Sequence, residues 1–331
     1  MKHALIVGCQ GQDGRLLWDF LAARGYGLTG LSRRGEHAGG ADQPGLATGP
    51  AVDVADAGAV SGLVDRLRPD EIYYLAAHHH SSQDRHACDP HTLWTRSLAV
   101  NAAGPAHVLE AIRSRSPKTR FFYAGSCLVY GHAGQAGQAD EAGQAGESPQ
   151  TEETCFRPSC VYGISKTAGM HAVRHYRESH GVFAVGGILY NHESHLRAER
   201  FLSRKIVRGA WRIRRGEARE LVLGDLSARA DWGYAPDFVD AFWRTLQTPE
   251  PADYVVATGK LSSVRDWVEK TFELAGLNWQ EHVREDASLL GSRRVPLVGD
   301  ISRLATATGW RPHTGFEAMV EHMFEREGHT S

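Results

Sequence analysis

The first half of the chain alternates short apolar runs with longer segments whose apolar residues recur at helical spacing. The apolar runs predict strands, and the amphipathic segments between them predict helices that pack on the sheet. We predict strands at residues 4–7, 27–31, 51–54, 71–77, 120–124 and 182–189. We predict helices at residues 14–24, 60–67, 98–114 and 161–180. This alternation predicts an α/β fold with a doubly wound parallel sheet of the Rossmann type.

Past residue 190 the hydrophobic pattern becomes mixed. It predicts helices near residues 202–214, 234–246, 264–274 and 316–327. We therefore predict that residues 1–190, with returning segments near 228–258, form the Rossmann domain. Residues 191–227 and 259–331 are predicted to form a smaller, mixed C-terminal domain.

Residues 133–146 repeat alanine, glycine and glutamine, a composition that cannot contribute to a core. We interpret this stretch as an inserted surface loop. A lid over a ligand site is the alternative, because the loop follows the strand that ends beside Ser126.

Composition restricts the classes of function. The 331 residues are 42% hydrophobic and 23% charged with a formal net charge of −2, so no global field favours nucleic acid or an anionic membrane. No apolar run approaches the roughly 18–20 residues that span a bilayer, and the first strand begins too early for a signal peptide. Five cysteines without zinc-type spacing favour a reducing cytoplasm. Of 18 histidines only residues 78–80 cluster, and their side chains should point apart, so we expect no metal site.

A glycine-rich turn follows the first predicted strand. Gly8, Gly11 and Gly14 form a G-x-x-G-x-x-G pattern, with Gln12 and Asp13 between the last two glycines. Glycines let backbone N–H groups approach a pyrophosphate, and the start of the following helix adds partial positive charge. A purely structural turn would look alike. The strand before it and the helix after it favour a dinucleotide site.

The end of the second predicted strand bears on which dinucleotide binds. A carboxylate there would accept hydrogen bonds from the ribose hydroxyls of NAD. This chain has Arg33 and Arg34 instead, which suit a 2′-phosphate. The alternative is two solvated surface arginines. We therefore favour NADP and leave NAD possible.

Three residues carry the predicted chemistry. Tyr162 and Lys166 stand four residues apart on a predicted helix, so their side chains share a face. We expect the ammonium of Lys166 to lower the pKa of Tyr162, so that its phenolate can take the proton of a substrate carbinol. Ser126 can hold the same substrate oxygen. After a dinucleotide turn, this combination favours a hydride-transferring enzyme over a buried tyrosine on an ordinary helix.

Together these residues resemble the extended short-chain dehydrogenase/reductases, and most closely the GDP-mannose 4,6-dehydratase family. The likeness covers nearly the whole chain. Beyond the glycine turn it rests on strings that include Pro69-Asp70-Glu71-Ile72-Tyr73, Leu75-Ala76-Ala77, Asn191-His192-Glu193-Ser194, Asp231-Trp232-Gly233 and Ser263-Val264-Arg265. The resemblance implies oxidation of a sugar carbinol with NADP, removal of a neighbouring hydrogen by a base, loss of water and return of the hydride.

The resemblance also assigns residues to ligands. Ser126, Tyr162 and Lys166 are expected to be catalytic. The implied cofactor positions are Gly8, Gly11, Gln12, Asp13, Gly14, Arg33, Arg34, Asp53, Val54, Leu75, Ala77, Tyr162, Lys166, His192 and Arg197. The implied substrate positions are His79, Ser82, Leu128, Asn191, Lys205, Arg229 and Arg265.

The chain departs from the family's acid–base pattern at one position. The family's glutamate, two residues after the catalytic hydroxyl, is Leu128 here, and leucine cannot exchange protons. Either elimination is absent or another group performs it. The candidates are Tyr162, His79, Cys127 and Glu193.

Two further departures concern the substrate pocket. The family's arginine before Asp-Trp-Gly is Ala230, with Arg229 one position away, and its ribose clamp is broken at residues 291–296. We therefore expect a rebuilt pocket whose substrate is a nucleoside or a simple glycoside rather than the usual sugar-nucleotide.

Three other interpretations of the function remain open. A keto-sugar reductase or an NDP-sugar epimerase would need no carboxylate at residue 128. The third is a dinucleotide-binding pseudo-enzyme that acts as a sensor or assembly partner. By resemblance the protein is expected to be a homodimer or homotetramer, assembled through helices near residues 92–115 and 161–180.

Overall fold

The structure is a computed structural model that describes residues 1–32, 52–79, 89–131, 148–289 and 296–330. The strands in these ranges are β1 (His3–Val7), β2 (Gly27–Leu31), β3 (Glu71–Tyr74), β4 (Arg120–Ala124), β5 (Ala184–Leu189), β6 (Asn191–Glu193), β7 (Leu221–Leu223), β8 (Arg229–Tyr234), β9 (Asp253–Val256), β10 (Leu261–Ser263) and β11 (Val283–Glu285).

The helices in the same ranges lie between the strands and after the last of them. They are α1 (Gln12–Ala22), α2 (Ala57–Leu67), α3 (Pro90–Leu98), α4 (Gly104–Arg115), α5 (Val161–His180), α6 (Leu202–Arg214), α7 (Ala235–Thr245), α8 (Val264–Ala275), α9 (Ser302–Thr308) and α10 (Phe316–Thr330). A π-helical turn, Ala99–Ala103, joins α3 to α4.

The largest sheet has the strand order β2-β1-β3-β4-β5-β9, and all of these neighbours pair in parallel. Helices cover both faces, so the residues of β3 and β5 are buried throughout. The predicted doubly wound Rossmann fold is confirmed. The strand order reverses between β1 and β3, and ligands of such sheets bind at this point beyond the carboxyl ends of the strands.

The predicted strand at residues 51–54 is wrong for the part that the structure describes. Asp53 folds into a turn, because its side chain accepts a hydrogen bond from the N–H of Ala55 at 3.0 Å and its carbonyl accepts one from Asp56 at 3.0 Å. The predicted strand at 71–77 is too long. It ends at Tyr74, the last residue of β3 that is in register with β1 and β4; Leu75 N still donates to the carbonyl of Val7 at 2.8 Å, and β1 then turns at Gly8.

Three helices begin earlier than predicted, α1 and α2 by two or three residues and α3 by eight. The sequence pattern predicts a helix over 98–114, whereas α3 already begins at Pro90, and Asp89 caps it by accepting a hydrogen bond from Thr92 N at 2.8 Å. The predicted loop at 133–146 lies outside the described residues. No described helix is both long and apolar enough to cross a bilayer.

The C-terminal half builds a separate hydrophobic core between α6, α8 and α10, with Trp267, Phe272 and Met323 among its buried residues. The helices predicted past residue 200 are confirmed to within three residues at each end. A small sheet of order β10-β8-β6 was not predicted, because strands of three to six residues carry little periodicity. The division into two domains stays a prediction.

Candidate active site

The glycine turn between β1 and α1 is shaped by close backbone contacts. Gly8 has a φ of 91°, and a Cβ on it would lie 2.7 Å from the N of Ala76. A Cβ on Gly14 would lie 2.4 Å from the carbonyl oxygen of Gly8. Gly11 differs, because a Cβ there would meet only Gly8 O at 3.5 Å. Gly11 is the N-cap of α1 and supplies no side-chain cap, so the first N–H groups of the helix can receive an anionic ligand.

The side chains of Gln12 and Asp13 connect the glycine turn to β6 and to the residue that follows it. Gln12 donates from Nε2 to the carbonyl of His192 at 3.1 Å and accepts at Oε1 from Ser194 Oγ at 2.9 Å. Asp13 Oδ2 lies 3.0 Å from His192 Nε2. These bonds cross about 180 residues of sequence and fix the turn against the strand that follows β5.

His192 contacts a hydrogen-bond acceptor at each ring nitrogen. Nδ1 lies 2.7 Å from the carbonyl oxygen of Tyr190, and Nε2 contacts the Asp13 carboxylate. Because neither partner can donate, both nitrogens must carry hydrogen, which makes the ring an imidazolium. Burial opposes this charge, but Asp13 outweighs it and raises the pKa of His192. Burial likewise opposes the carboxylate, but His192 outweighs it and lowers the pKa of Asp13 to about 2.

Tyr162 and Lys166 lie one turn apart at the start of α5. Lys166 is buried, donates from Nζ to the carbonyl of Ala124 at 2.6 Å, and lies 5.7 Å from the centre of the Tyr162 ring. Burial lowers the pKa of Lys166 to about 7, so the group is partly neutral at neutral pH. Burial raises the pKa of Tyr162, and Arg197 acts in the opposite direction without cancelling that effect. The expectation that Lys166 by itself makes Tyr162 acidic is therefore wrong.

Ser126 lies at the carboxyl end of β4 and begins a short 3₁₀ helix, Cys127–Val129. Its Oγ accepts a hydrogen bond from Leu128 N at 3.2 Å. The carbonyl of Leu128 packs against Gly163, where a Cβ would come within 2.5 Å of the oxygen. This contact holds the segment that carries Ser126 against the first turn of α5, which carries Tyr162.

Asn101 is a site residue that the sequence reasoning missed. It lies in the π-helical turn, and its Nδ2 donates to Ser165 Oγ at 2.9 Å and to the carbonyl of His78 at 3.0 Å. Its Oδ1 accepts from His78 N at 2.9 Å, and Ser165 Oγ donates to the carbonyl of Tyr162 at 2.9 Å. π-Helical turns often mark functional sites, and a buried asparagine in an otherwise amphipathic helix was the available signal.

His79 lies against Tyr162. The ring centroids are 4.7 Å apart with an interplanar angle of 84°, an edge-to-face contact. Phe201 lies on another side of His79, with centroids 5.8 Å apart, and the guanidinium of Arg197 stands 3.7 Å over the Phe201 ring. The structure thus brings His79 and Arg197 to the same wall as Tyr162.

The other predicted cofactor positions lie around the sheet edge. Val54 is buried, and the Asp53 side chain is engaged in its own turn. Leu75 and Ala77 follow β3, beside Ala76 in contact with the glycine turn. Arg33 and Arg34 lie outside the described residues.

The predicted substrate positions are spread over several elements. Lys205 donates to the carbonyl of Val222 at 2.8 Å, Arg265 stands 5.4 Å over the Trp279 ring, and Arg229 is exposed at the start of β8. Asn191 makes only a long contact of 3.5 Å with the carbonyl of Asp231. Leu128 is half-buried, and Ser82 and residues 290–295 lie outside the described ranges.

Comparisons with known proteins agree with this geometry. A family model described as GDP-mannose 4,6 dehydratase matches residues 5–323. GDP-mannose 4,6 dehydratase 2 of Arabidopsis thaliana is 36% identical over 342 residues, which cover 98% of this chain and 87% of that protein. The GDP-mannose 4,6 dehydratase of Homo sapiens is 31% identical over 351 residues, which cover 97% and 90%.

Solved structures of low identity share the fold. The dTDP-glucose 4,6-dehydratase of Bacillus anthracis, solved in complex with NAD, gives a TM-score of 0.80 at 15% identity and covers 100% of this chain and 98% of its own. RMD of Pseudomonas aeruginosa, solved in complex with NADPH, gives 0.78 at 22% identity and covers 100% of both chains.

Proposed function

We propose a cofactor, a reaction and a substrate class for this chain. The chain belongs to the GDP-mannose 4,6-dehydratase family, which confirms the resemblance drawn from its sequence. The chain is an enzyme of the extended short-chain dehydrogenase/reductase type. The proposal is an NADP-dependent dehydratase that oxidises a ring carbinol, eliminates water and returns the hydride. Its substrate is a nucleoside or a sugar that lacks the diphosphate of the usual sugar-nucleotide.

The glycine turn fits a dinucleotide. Gly8 and Gly14 leave no room for a side chain, and Gly11 leaves the start of α1 uncapped for a pyrophosphate. Asp13 is one of the first residues of that helix, where its carboxylate would repel phosphate if it were unpaired. Its ion pair with His192 neutralises it. Arg33 and Arg34 in the sequence favour NADP over NAD, because arginine suits a 2′-phosphate.

The redox step rests on one observation, which is the position of Lys166 beside Tyr162 with its Nζ on the carbonyl of Ala124. When bound, the nicotinamide accepts a hydride from the carbinol carbon and later gives it back. Tyr162 takes the hydroxyl proton, and Ser126 holds the same oxygen. Arg197 supplies positive charge that favours the phenolate, although it does not cancel the effect of burial.

The altered substrate rests on the positions of the cationic side chains. Arg229 and Ala230 are consecutive in β8, so their side chains point to opposite faces, and Arg229 cannot take the place of an arginine at residue 230. Lys205 is engaged by the carbonyl of Val222, and burial lowers its pKa. Among the described residues, neither Arg229 nor Lys205 is placed to pair with a diphosphate, and an unpaired diphosphate is costly in a desolvated site.

The proposal is tested with purified protein, NADP⁺ and four probes: adenosine, uridine, methyl α-mannopyranoside and GDP-mannose. We expect one of the first three to lose the mass of one water without a net change in nicotinamide absorbance. Tyr162→Phe should reduce this rate at least about a hundredfold. Tyr176→Phe, on the same helix, serves as the matched control. Efficient turnover of GDP-mannose alone would refute the altered substrate.

A keto-sugar reductase is the second candidate, because Leu128 offers no proton-exchanging group. The same assay separates the two functions. A reductase consumes NADPH in proportion to product, whereas a dehydratase returns its hydride.

A further inference from the structure

The proposed dehydration, on which this inference rests, needs a second proton acceptor beside Tyr162. The phenolate of Tyr162 takes the hydroxyl proton when the ketone forms. The hydrogen on the neighbouring ring carbon must then leave as a proton to a different group. That group must lie within hydrogen-bond reach of the substrate, so it must be one of the side chains around Tyr162.

Most ionisable side chains in the described ranges near Tyr162 are committed elsewhere. The carboxylate of Glu193 accepts a hydrogen bond from Ser203 Oγ at 2.6 Å and pairs with Arg197 at 3.2 Å. Cys127 is buried within the hydrophobic core. Lys166 is occupied by the carbonyl of Ala124.

His79 has the position that the other groups lack. It lies on the loop after β3, at the carboxyl edge of the sheet where ligands of this fold bind. Its ring is half-buried and makes the edge-to-face contact with Tyr162 described above. An imidazole also titrates near neutral pH, which suits a group that must both accept and release a proton.

The backbone beside His79 is fixed to the catalytic helix. Asn101 binds both the N–H and the carbonyl of His78, and the same side chain binds Ser165. Ser165 in turn binds the carbonyl of Tyr162. This chain of bonds sets the distance between the two rings through buried groups, as catalysis by a positioned acid–base residue requires.

We propose that His79 is the acid–base residue of the elimination. His79 takes the proton from the ring carbon next to the ketone, and the electron pair of that C–H bond forms the C=C bond. The exocyclic hydroxyl leaves with the proton returned by the His79 imidazolium, which gives water. The hydride taken from the carbinol carbon then returns to the terminal carbon of the C=C bond, and the proton held by Tyr162 goes to the ring carbon. Substrate and product then differ by one water, with no net oxidation.

Charged groups lie on the elements around Tyr162 and His79. Arg197 stands beyond Phe201 on the segment before α6, and Lys166 lies on α5 behind Tyr162. Asp13 acts on both Tyr162 and Lys166 from the glycine turn.

The test compares His79→Gln with the wild type on the four probes above, in D₂O with NADP⁺. For the probe that the wild type dehydrates, we expect His79→Gln to lose dehydration at least about a hundredfold. Deuterium incorporation at the carbon next to the ketone should fall equally. Single-turnover formation of reduced nicotinamide should stay within about a factor of three. His91→Gln, on the exposed start of α3, is the matched control.

Each outcome decides between the alternatives. Dehydration by His79→Gln within about tenfold of the wild type overturns the assignment. Equal loss of hydride transfer and dehydration also overturns it, because His79 would then be a binding residue. Partial rescue by His79→Glu or by added imidazole supports proton transfer and excludes misfolding. Failure of the wild type on every probe refutes the proposed function instead.

Discussion

Replacing Asp13 by asparagine should destabilise the protein most at mildly acidic pH. The substitution keeps the shape of the side chain but removes the carboxylate that pairs with His192 Nε2. The pKa of Asp13 is displaced from 3.8 to about 2. At about 1.4 kcal/mol for each pKa unit, this corresponds to about 2.5 kcal/mol of stability. Both side chains are less than a quarter exposed, so solvent screening removes little of it.

The pH dependence follows from the direction of each pKa change. The lowered pKa of Asp13 means that its contribution is present above about pH 4 and is lost as the pH falls toward about 2. The raised pKa of His192 means that its contribution is complete below about pH 6.5 and is lost as the pH rises through the raised value. The two windows overlap between about pH 4 and neutrality.

The assay is urea denaturation of the wild type and Asp13→Asn at about pH 6 and about pH 9, followed by circular dichroism. We expect a loss of about 2–3 kcal/mol at the lower pH and a smaller loss at the higher pH. Asp65→Asn is the matched control, because Asp65 pairs with Arg68 on the surface and should cost at most about 1 kcal/mol. An equal loss at both pH values would refute the protonated state of His192.

Three further substitutions test the glycine turn and Lys166. Gly14→Ala should destabilise the fold by about 1–3 kcal/mol, because the new Cβ meets Gly8 O. Gly11→Ala should change the stability by less than about 0.5 kcal/mol and weaken only NADP binding. Thermal melts with and without NADP⁺ measure both effects. Lys166→Met should abolish turnover yet stabilise the fold at neutral pH, because burial lowers the pKa of Lys166 to about 7. This gain in stability should vanish as the pH approaches about 10. Urea denaturation across that pH range would contradict the prediction if the free energies of unfolding of the variant and the wild type differed by the same amount at every pH.

The fold was predictable to the extent that its signals are local. The glycine turn, the apolar strands and the long helix α5 each carry a pattern within about 20 residues. The strand predicted at 51–54 failed because the Asp53 side chain accepts a hydrogen bond from the backbone N–H of Ala55, and this local bond outweighs the apolar pattern. Strand β9 completes the main sheet from residue 253 onward, and four buried residues gave too short a run for the pattern to identify.

The residues of the candidate site could be predicted from their types and spacing, but the groups that they contact could not. Tyr162 and Lys166 were identified from their spacing, whereas the effect of burial on both pKa values depends on packing that no motif encodes. Asn101 was missed because its partners lie 23 and 64 residues away. The pairing of Asp13 with His192 spans 179 residues and turns two predicted cofactor contacts into one ion pair.

The cost of substitution differs between the residues that support Tyr162 and two of the predicted substrate positions. Ser165 and Asn101 are fully buried and donate to the main-chain carbonyls of Tyr162 and His78, so replacing either leaves buried polar groups unsatisfied, at about 1–3 kcal/mol each. Arg229 and Arg265 instead lie on exposed positions, where substitutions usually change stability by less than about 0.5 kcal/mol. Stability therefore restricts the residues that support Tyr162 more than it restricts Arg229 and Arg265.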